Sequence, residues 1–233
     1  SWSSSPSSGP SSQVSIGPES SFIELGRLVD FAVFASSTVA ATGSCQVIGS
    51  VGVSPGTSVS GLYSVVVHTG ASPEAAACAT DGLAAYQKGN DLAGQFKMEA
   101  EMGGVTFGPG VHTLSLSSSI SISGGSTVYL DADNDPSAVF IFRAGSLTTS
   151  GASKINLLNG ARADNVFWII GLGSVELGGD GSIFIGNVLA YNNSTMSEGG
   201  TLLGRAIAVN GSVTLEDNVV RIPPSSPGGK PQR

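Results

Sequence analysis

One three-part phrase recurs about every twenty residues along this chain, and it restricts the fold more than any single motif. An apolar segment comes first. A short segment follows in which Ser or Thr alternates with an apolar residue, and then a second apolar segment. DFAVFAS leads into STVAAT and CQVIGSVGV, AVFIFRAG into SLTTS and SKINLLN, and NVFWIIGLG into SVELG and SIFIG. GNVLAYN leads into NSTMS and TLLG, and GRAIAVNG into SVTLE and NVVRI. SSSISIS joins the set with LSL before it and STVYLDAD after it, making six units. Central positions are spaced 27 residues from Ser121 to Thr148, 28 from Thr148 to Glu176, and 19 each from Glu176 to Thr195 and Thr195 to Thr214. About twenty residues is three short strands and three corners, one turn of a three-sided solenoid, with loops in the longer coils. An up-and-down barrel also uses short alternating strands but gives no reason for the three-part order. The period therefore predicts a mainly β chain, a parallel β-helix of about six triangular coils.

One segment breaks the pattern. Ser72-Pro73-Glu74 has the marks of a helix start, with Ser at the N-cap, Pro in the first position and a carboxylate in the first turn. Alanines at helical spacing follow, and Gly89 closes the pattern, predicting one helix over about 73–89 alongside the solenoid. It separates the first coil from the other five, so that coil must rejoin the stack by packing rather than by chain continuity. Cys78 lies on this helix and Cys45 opens a third-side strand. A bridge between them and two free thiols are equally compatible with the sequence.

Several functions are disfavoured. A net charge of −7 with no basic patch argues against nucleic acid, and no run of eighteen apolar residues suggests a membrane span. Asp131, Asp133 and Asp135 resemble the opening of a calcium loop, but Pro136 and Phe142 stand where that loop needs Gly and Glu, so an Asx-rich corner is expected. His68 and His112 are isolated, and GGVTFGPG lacks the Lys-Ser/Thr of a phosphate loop. No metal or cofactor is expected. A polysaccharide-cleaving solenoid needs Asp with Lys or Arg on adjacent coils. Asp164, Asp180 and Asp217 fall at corners, and Arg143, Arg162 and Arg205 do not join them in a column. Asn192, Asn193 and Asn210 are glycosylation sequons. The opening SWSSSPSSGPSS has no basic or apolar region of a signal peptide, and both this stretch and PPSSPGGKPQR are expected to be poorly ordered.

The alternating segments carry the functional reading. With Val39, Ile120, Ile122, Leu147, Val175, Leu177, Val213 and Leu215 inside, the outward set follows by alternation. It is Thr38, Ala40 and Thr42; Ser119, Ser121 and Ser123; Ser146, Thr148 and Ser150; Ser174 and Glu176; Asn193, Thr195 and Ser197; Ser212, Thr214 and Glu216. An ordinary solvated face would mix in Lys, Arg and Gln, whereas charged residues make up only 12% of this chain. Outer neighbours lie about 6.6 Å apart along a strand and about 4.8 Å apart across strands, so three columns by six rows cover about 13 × 24 Å. Such a stiff grid has no concavity for a small ligand, but it can hold an ordered sheet of water with methyls as spacers. An ice crystal surface is the partner this geometry suggests. An adhesive or carbohydrate-binding solenoid is the alternative, and it would be favoured by an exposed aromatic stripe. Tyr129, Trp168 and Tyr191 are the candidates for one, and they share no column.

The sequence also resembles the microbial ice-binding (antifreeze) proteins. FAVFASSTVAATGSCQVIGSVGVSPGTSVSGL looks like their opening, and GVHTLSLSSSISISGGSTVYLDADNDPSAVFIF, NGARADNVFWIIG, GSIFIGNVLA and GRAIAVNGSVTLEDN continue the likeness in order across about residues 22–222. The resemblance implies a discontinuous right-handed β-helix with one helix alongside. It also implies secretion, no enzymatic activity, and adsorption to ice that gives thermal hysteresis and inhibits recrystallisation. The face it implies is the second strand of each coil, the outward set above. Glu176 departs from the pattern, standing where more active members have Thr or Ser. We expect a monomer of moderate activity, with residues 1–21 and 223–233 outside the working domain.

Overall fold

Strands such as FAVFA (31–35) and VFWII (166–170) are apolar at every position because both their faces are covered. The computed structural model describes residues 22–224 apart from Ser64 and Glu198, so most of the two terminal segments expected to be poorly ordered lies outside the described residues. After a short 3-10 turn (Gly26–Asp30) come β1 (Phe31–Ala35), β2 (Thr38–Thr42), β3 (Gln46–Ile48), β4 (Ser50–Val53), β5 (Ser58–Ser60) and β6 (Val67–Thr69). The helix α1 (Pro73–Asp91) is followed by β7 (Phe96–Lys97), β8 (Thr106–Phe107), β9 (Gly110–Thr113), β10 (Ser119–Ile122), β11 (Thr127–Asp131) and β12 (Phe140–Ala144). Then come β13 (Ser146–Thr149), β14 (Lys154–Leu158), β15 (Val166–Ile170), β16 (Val175–Leu177), β17 (Ile183–Ala190) and β18 (Ser194–Met196). The last are β19 (Thr201–Ala208), β20 (Val213–Glu216) and β21 (Val219–Arg221).

Parallel pairing arranges these strands in three rows. The first row runs β7-β9-β12-β15-β17-β19-β1-β4-β6, and the second runs β10-β13-β16-β18-β20-β2-β5. The third links β8, β11, β14, β17, β19, β21 and β3. β17 and β19 serve two rows because each turns a corner in mid-strand, at Gly186 and Gly204. A Cβ on Gly204 would sit 1.9 Å from the Gly186 carbonyl oxygen, so only glycine permits these two corners to stack. The strand before β10 is β9, at Gly110–Thr113, and not the expected LSL, which lies in the following loop.

The first coil rejoins by packing, as expected, and its place is against the last coil. β1 pairs with β19, β2 with β20 and β3 with β21. The chain then continues through β4, β5 and β6 before α1 carries it back to the other end of the stack, where β7 pairs with β9. Nine strands in the first row span about 38 Å. A 19-residue helix supplies about 28 Å of that return. Ser72 caps the helix by accepting from the Ala75 N–H, and Pro73 sits in its first turn. Its buried stripe is Ala75, Cys78, Gly82, Ala85, Tyr86 and Gly89. Apart from Tyr86 these are small residues, and they let it lie close on Phe167, Ile169, Leu189 and Ile207 of the first row. At the far end, Arg143 donates to the carbonyls of Asn90 and Leu92, partnering groups that a helix terminus leaves open.

The core inside the three rows is stacked rather than merely apolar. His112, Phe142 and Trp168 form a ladder with centroids 5.2 and 4.4 Å apart, flanked by Phe184 at 4.9 Å. The Trp168 indole N–H donates to the Ile185 carbonyl at 2.9 Å. His112 is thus a core residue. Its Nε2 lies 2.9 Å from the Gly108 carbonyl oxygen, and burial pulls its pKa below the usual histidine value.

The packing decides the question left open about the cysteines and gathers one charged cluster. Both cysteines are free: Cys78 is buried under the helix, where burial first and Asp81 second push its thiol up to about 11. Cys45 sits at the corner after β2, with its sulfur 3.1 Å from the Thr42 carbonyl oxygen. The helix covers the first row, whereas Cys45 lies between the second and third. Arg205 and Arg162 meet Asp164 in one local cluster, at 3.3 and 3.8 Å, because the turn before β15 brings Asp164 over the strand that carries Arg205. This cluster is a clamp. Arg205 is 5% exposed and donates to Asn187 Oδ1 and to the carbonyls of Leu28 and Val29, fixing the 3-10 turn to the first row. Arg205→Ala would leave those acceptors unpaired, and we expect it to cost about 2–3 kcal/mol, read as a lower urea midpoint. An unchanged midpoint would show that the clamp holds nothing.

Candidate functional site

The second row presents the outward set in register. Ile120, Leu147, Val175, Leu177, Val213, Leu215 and Val39 point into the core, each 2% exposed or less. Alternation therefore turns every expected outward residue to solvent. Strand partners run Ser121 to Thr148, Thr148 to Glu176, Glu176 to Thr195, Thr195 to Thr214, and Thr214 to Ala40. That is one continuous central column. A second column contains Ser119, Ser146, Ser174, Asn193, Ser212 and Thr38, with a 2.9 Å hydrogen bond from Thr38 to Ser212. The third continues the register through Ser123, Ser150, Ser197, Glu216 and Thr42, the last two paired directly. Gly178 fills the gap in that column. Two inward positions depart from the pattern: Thr149 is half-buried, with its hydroxyl bonded to the Gly178 backbone, and Ser194 is fully buried, with no partner for its hydroxyl among the described residues.

The sequence reading missed two parts of this face. β5 adds a seventh strand, with Ser58 opposite Thr38 and Ser60 opposite Ala40. Its SVS alternation was visible, but its coil has no ordinary third strand, so the three-part phrase did not flag it. At the opposite end, Glu101 bridges to Ser121 as a further rung while its neighbour Met102 points into the core. The Glu101 carboxylate accepts the hydroxyls of Ser121 and Ser123 at 2.8 Å each, along with the backbone N–H groups of Gly103 and Ser123. Desolvation raises its pKa, but the Ser123 and Ser121 hydroxyls and those N–H groups outweigh it and hold the group below its ordinary value. Glu176 is exposed in the central column and accepts the Ser174 hydroxyl at 3.0 Å.

Other candidates resolve into structure. Asp131 accepts from the Asp133 N–H and from Asn159, and Asp135 accepts from Ser137, forming a stacked Asx corner. Among the described residues no cluster of three or more His, Cys, Asp or Glu could hold a metal, and no helix is long and apolar enough to cross a membrane. Trp168 is in the core, and Tyr191 packs on Tyr86 of the helix.

Parallel strand rows, a returning helix and one face of small outward side chains define the class of protein. Residues 33–221 match the family described as ice-binding-like, and the chain belongs to it. It is 39% identical to an ice-binding protein of Nostoc sp. (strain HG1), over 84% of this chain and 72% of that one. It is 32% identical to an ice-binding protein of Flavobacterium frigoris (strain PS1), over 92% and 81%. Among solved structures, an ice-binding protein from the Antarctic ascomycete Antarctomyces psychrotrophicus superposes with a TM-score of 0.80 at 32% identity, covering 87% of this chain and 99% of that one. One from an Antarctic biological consortium gives 0.79 at 32%, covering 93% and 96%.

Proposed function

We propose that this protein binds ice through the second row, without catalysis, and thereby gives thermal hysteresis and inhibits recrystallisation. The reading includes the right-handed triangular winding that the resemblance implies, a secreted location and a monomeric state. One observation carries it: columns made mostly of Ser, Thr and Ala hold register along the second row, and β5 extends two of them to a seventh strand. Short side chains lose little entropy when ordered, so such a surface can template water at small cost. No described aromatic stripe favours the carbohydrate-binding alternative. Purified protein around a single ice crystal just below its melting point is expected to arrest growth and facet the crystal. Continuous growth of a rounded crystal would end the reading.

The central column supplies a graded test. An ionised carboxylate keeps its own hydration shell, which need not fit ice. Glu176→Thr is therefore expected to raise hysteresis roughly twofold, because it removes the charge from a site between Thr148 and Thr195. Unchanged hysteresis would show that this row is not in contact with ice.

A further inference from the structure

We infer that Glu101 sets where the ice-facing grid ends. Its carboxylate withdraws the β10 row from contact, so the working surface is displaced by one strand and runs from β13 to β5. This rests on the second row being the ice-binding face.

Hydroxyls along that row are held in different ways: Thr148 and Thr42 donate to the Ile120 and Leu215 carbonyls, Thr38 to Ser212 and Ser174 to Glu176. Ser121 and Ser123 both donate to one Glu101 oxygen at 2.8 Å. Bonds to an ionised acceptor are roughly twice as strong as neutral ones, so these two protons are not available to a water layer. Ser119, the remaining outer hydroxyl of β10, turns to the Ile120 carbonyl at 3.1 Å. All three outer hydroxyl protons of β10 are thus engaged, two of them by one carboxylate. Thr195 and Thr214 have no side-chain hydrogen bond among the described residues, nor do Ser58 and Ser60 of β5. Their hydroxyls remain able to join an ordered water sheet. Glu101 also stands in the central column directly outside Ser121, so its hydration shell covers the end of the grid. Row count alone would place the grid's centre near Glu176 and Thr195. With β10 withdrawn and β5 added, the centre moves to Thr195 and Thr214.

The test measures hysteresis and thermal melting on the full chain. Glu101→Ala is expected to raise hysteresis roughly one and a half-fold by returning one row of six or seven to the grid. Adding Ser121→Tyr to that variant is expected to cancel the gain, because the ring blocks the returned row. Ser60→Tyr in the otherwise unchanged protein is expected to lower hysteresis. If Glu101→Ala melts early, Glu101→Gln takes its place: it keeps an acceptor for the Gly103 N–H, removes the charge, and must also raise hysteresis. Thr214→Tyr separates the two levels of the argument. If it abolishes hysteresis while removing the Glu101 charge brings no gain, the inference about Glu101 fails and the face stands. If Thr214→Tyr has no effect, the face assignment fails and the inference fails with it.

Discussion

Thr214→Tyr is expected to remove most of the thermal hysteresis, a loss of roughly fivefold or more, while leaving the melting of the fold within about 1 °C of the parent. Thr214 is exposed, pairs with Thr195 on one side and Ala40 on the other, and contributes nothing to the core. A phenol ring there stands several ångströms above its neighbours and holds the surrounding rows away from any flat solid. Dispersion and hydrogen bonding both fall steeply over such a gap, so the loss extends well beyond one residue. Hysteresis readings and thermal melting on the same preparation check it. Full activity in the variant would mean that another side of the molecule meets ice.

Trp168→Ala should have the largest effect on stability. The indole is fully buried, stacks on Phe142, lies tilted against Phe184, and donates to the Ile185 carbonyl. Truncating a core aromatic costs about 3–5 kcal/mol, and the Ile185 carbonyl also loses its donor. In a domain of this size that corresponds to a melting temperature lower by roughly 10 °C. Because ice contact is measured near freezing, where the variant is still folded, hysteresis per folded molecule should be retained. A thermal melt followed by circular dichroism decides it, and an unchanged midpoint would show that the ladder is not a keystone.

The two variants separate what repetition reveals from what it hides. Alternation about Val39, Ile120, Leu147, Val175 and Val213 was readable because inward positions must be apolar and outward ones need not be. The helix start at Ser72-Pro73 was equally legible, since capping is a local matter. The Glu101 bond to Ser121 was not, because it joins residues 20 apart through a rung with no repeat phrase of its own. Arg205 likewise meets Asp164 across 41 residues, a proximity that only the stacking of coils creates. β5 escaped notice because its coil is incomplete. Tyr129, Trp168 and Tyr191 could be counted in the sequence, but only packing shows that Trp168 is interior.

The insertion of residues 31–69 beyond the final coil has a consequence for how the molecule comes apart. An ordinary solenoid can fray coil by coil from either end, because each unit touches only its neighbours. Here Val33 sits beside Ala206, so the chain closes a loop of 173 residues before its last coils are covered. Closure over so long a stretch makes for slow folding, since distant segments must meet before their contacts reward them. It also leaves the C-terminal coils without a free edge from which to peel. We therefore expect a single sharp unfolding transition rather than the gradual loss seen in open repeat arrays.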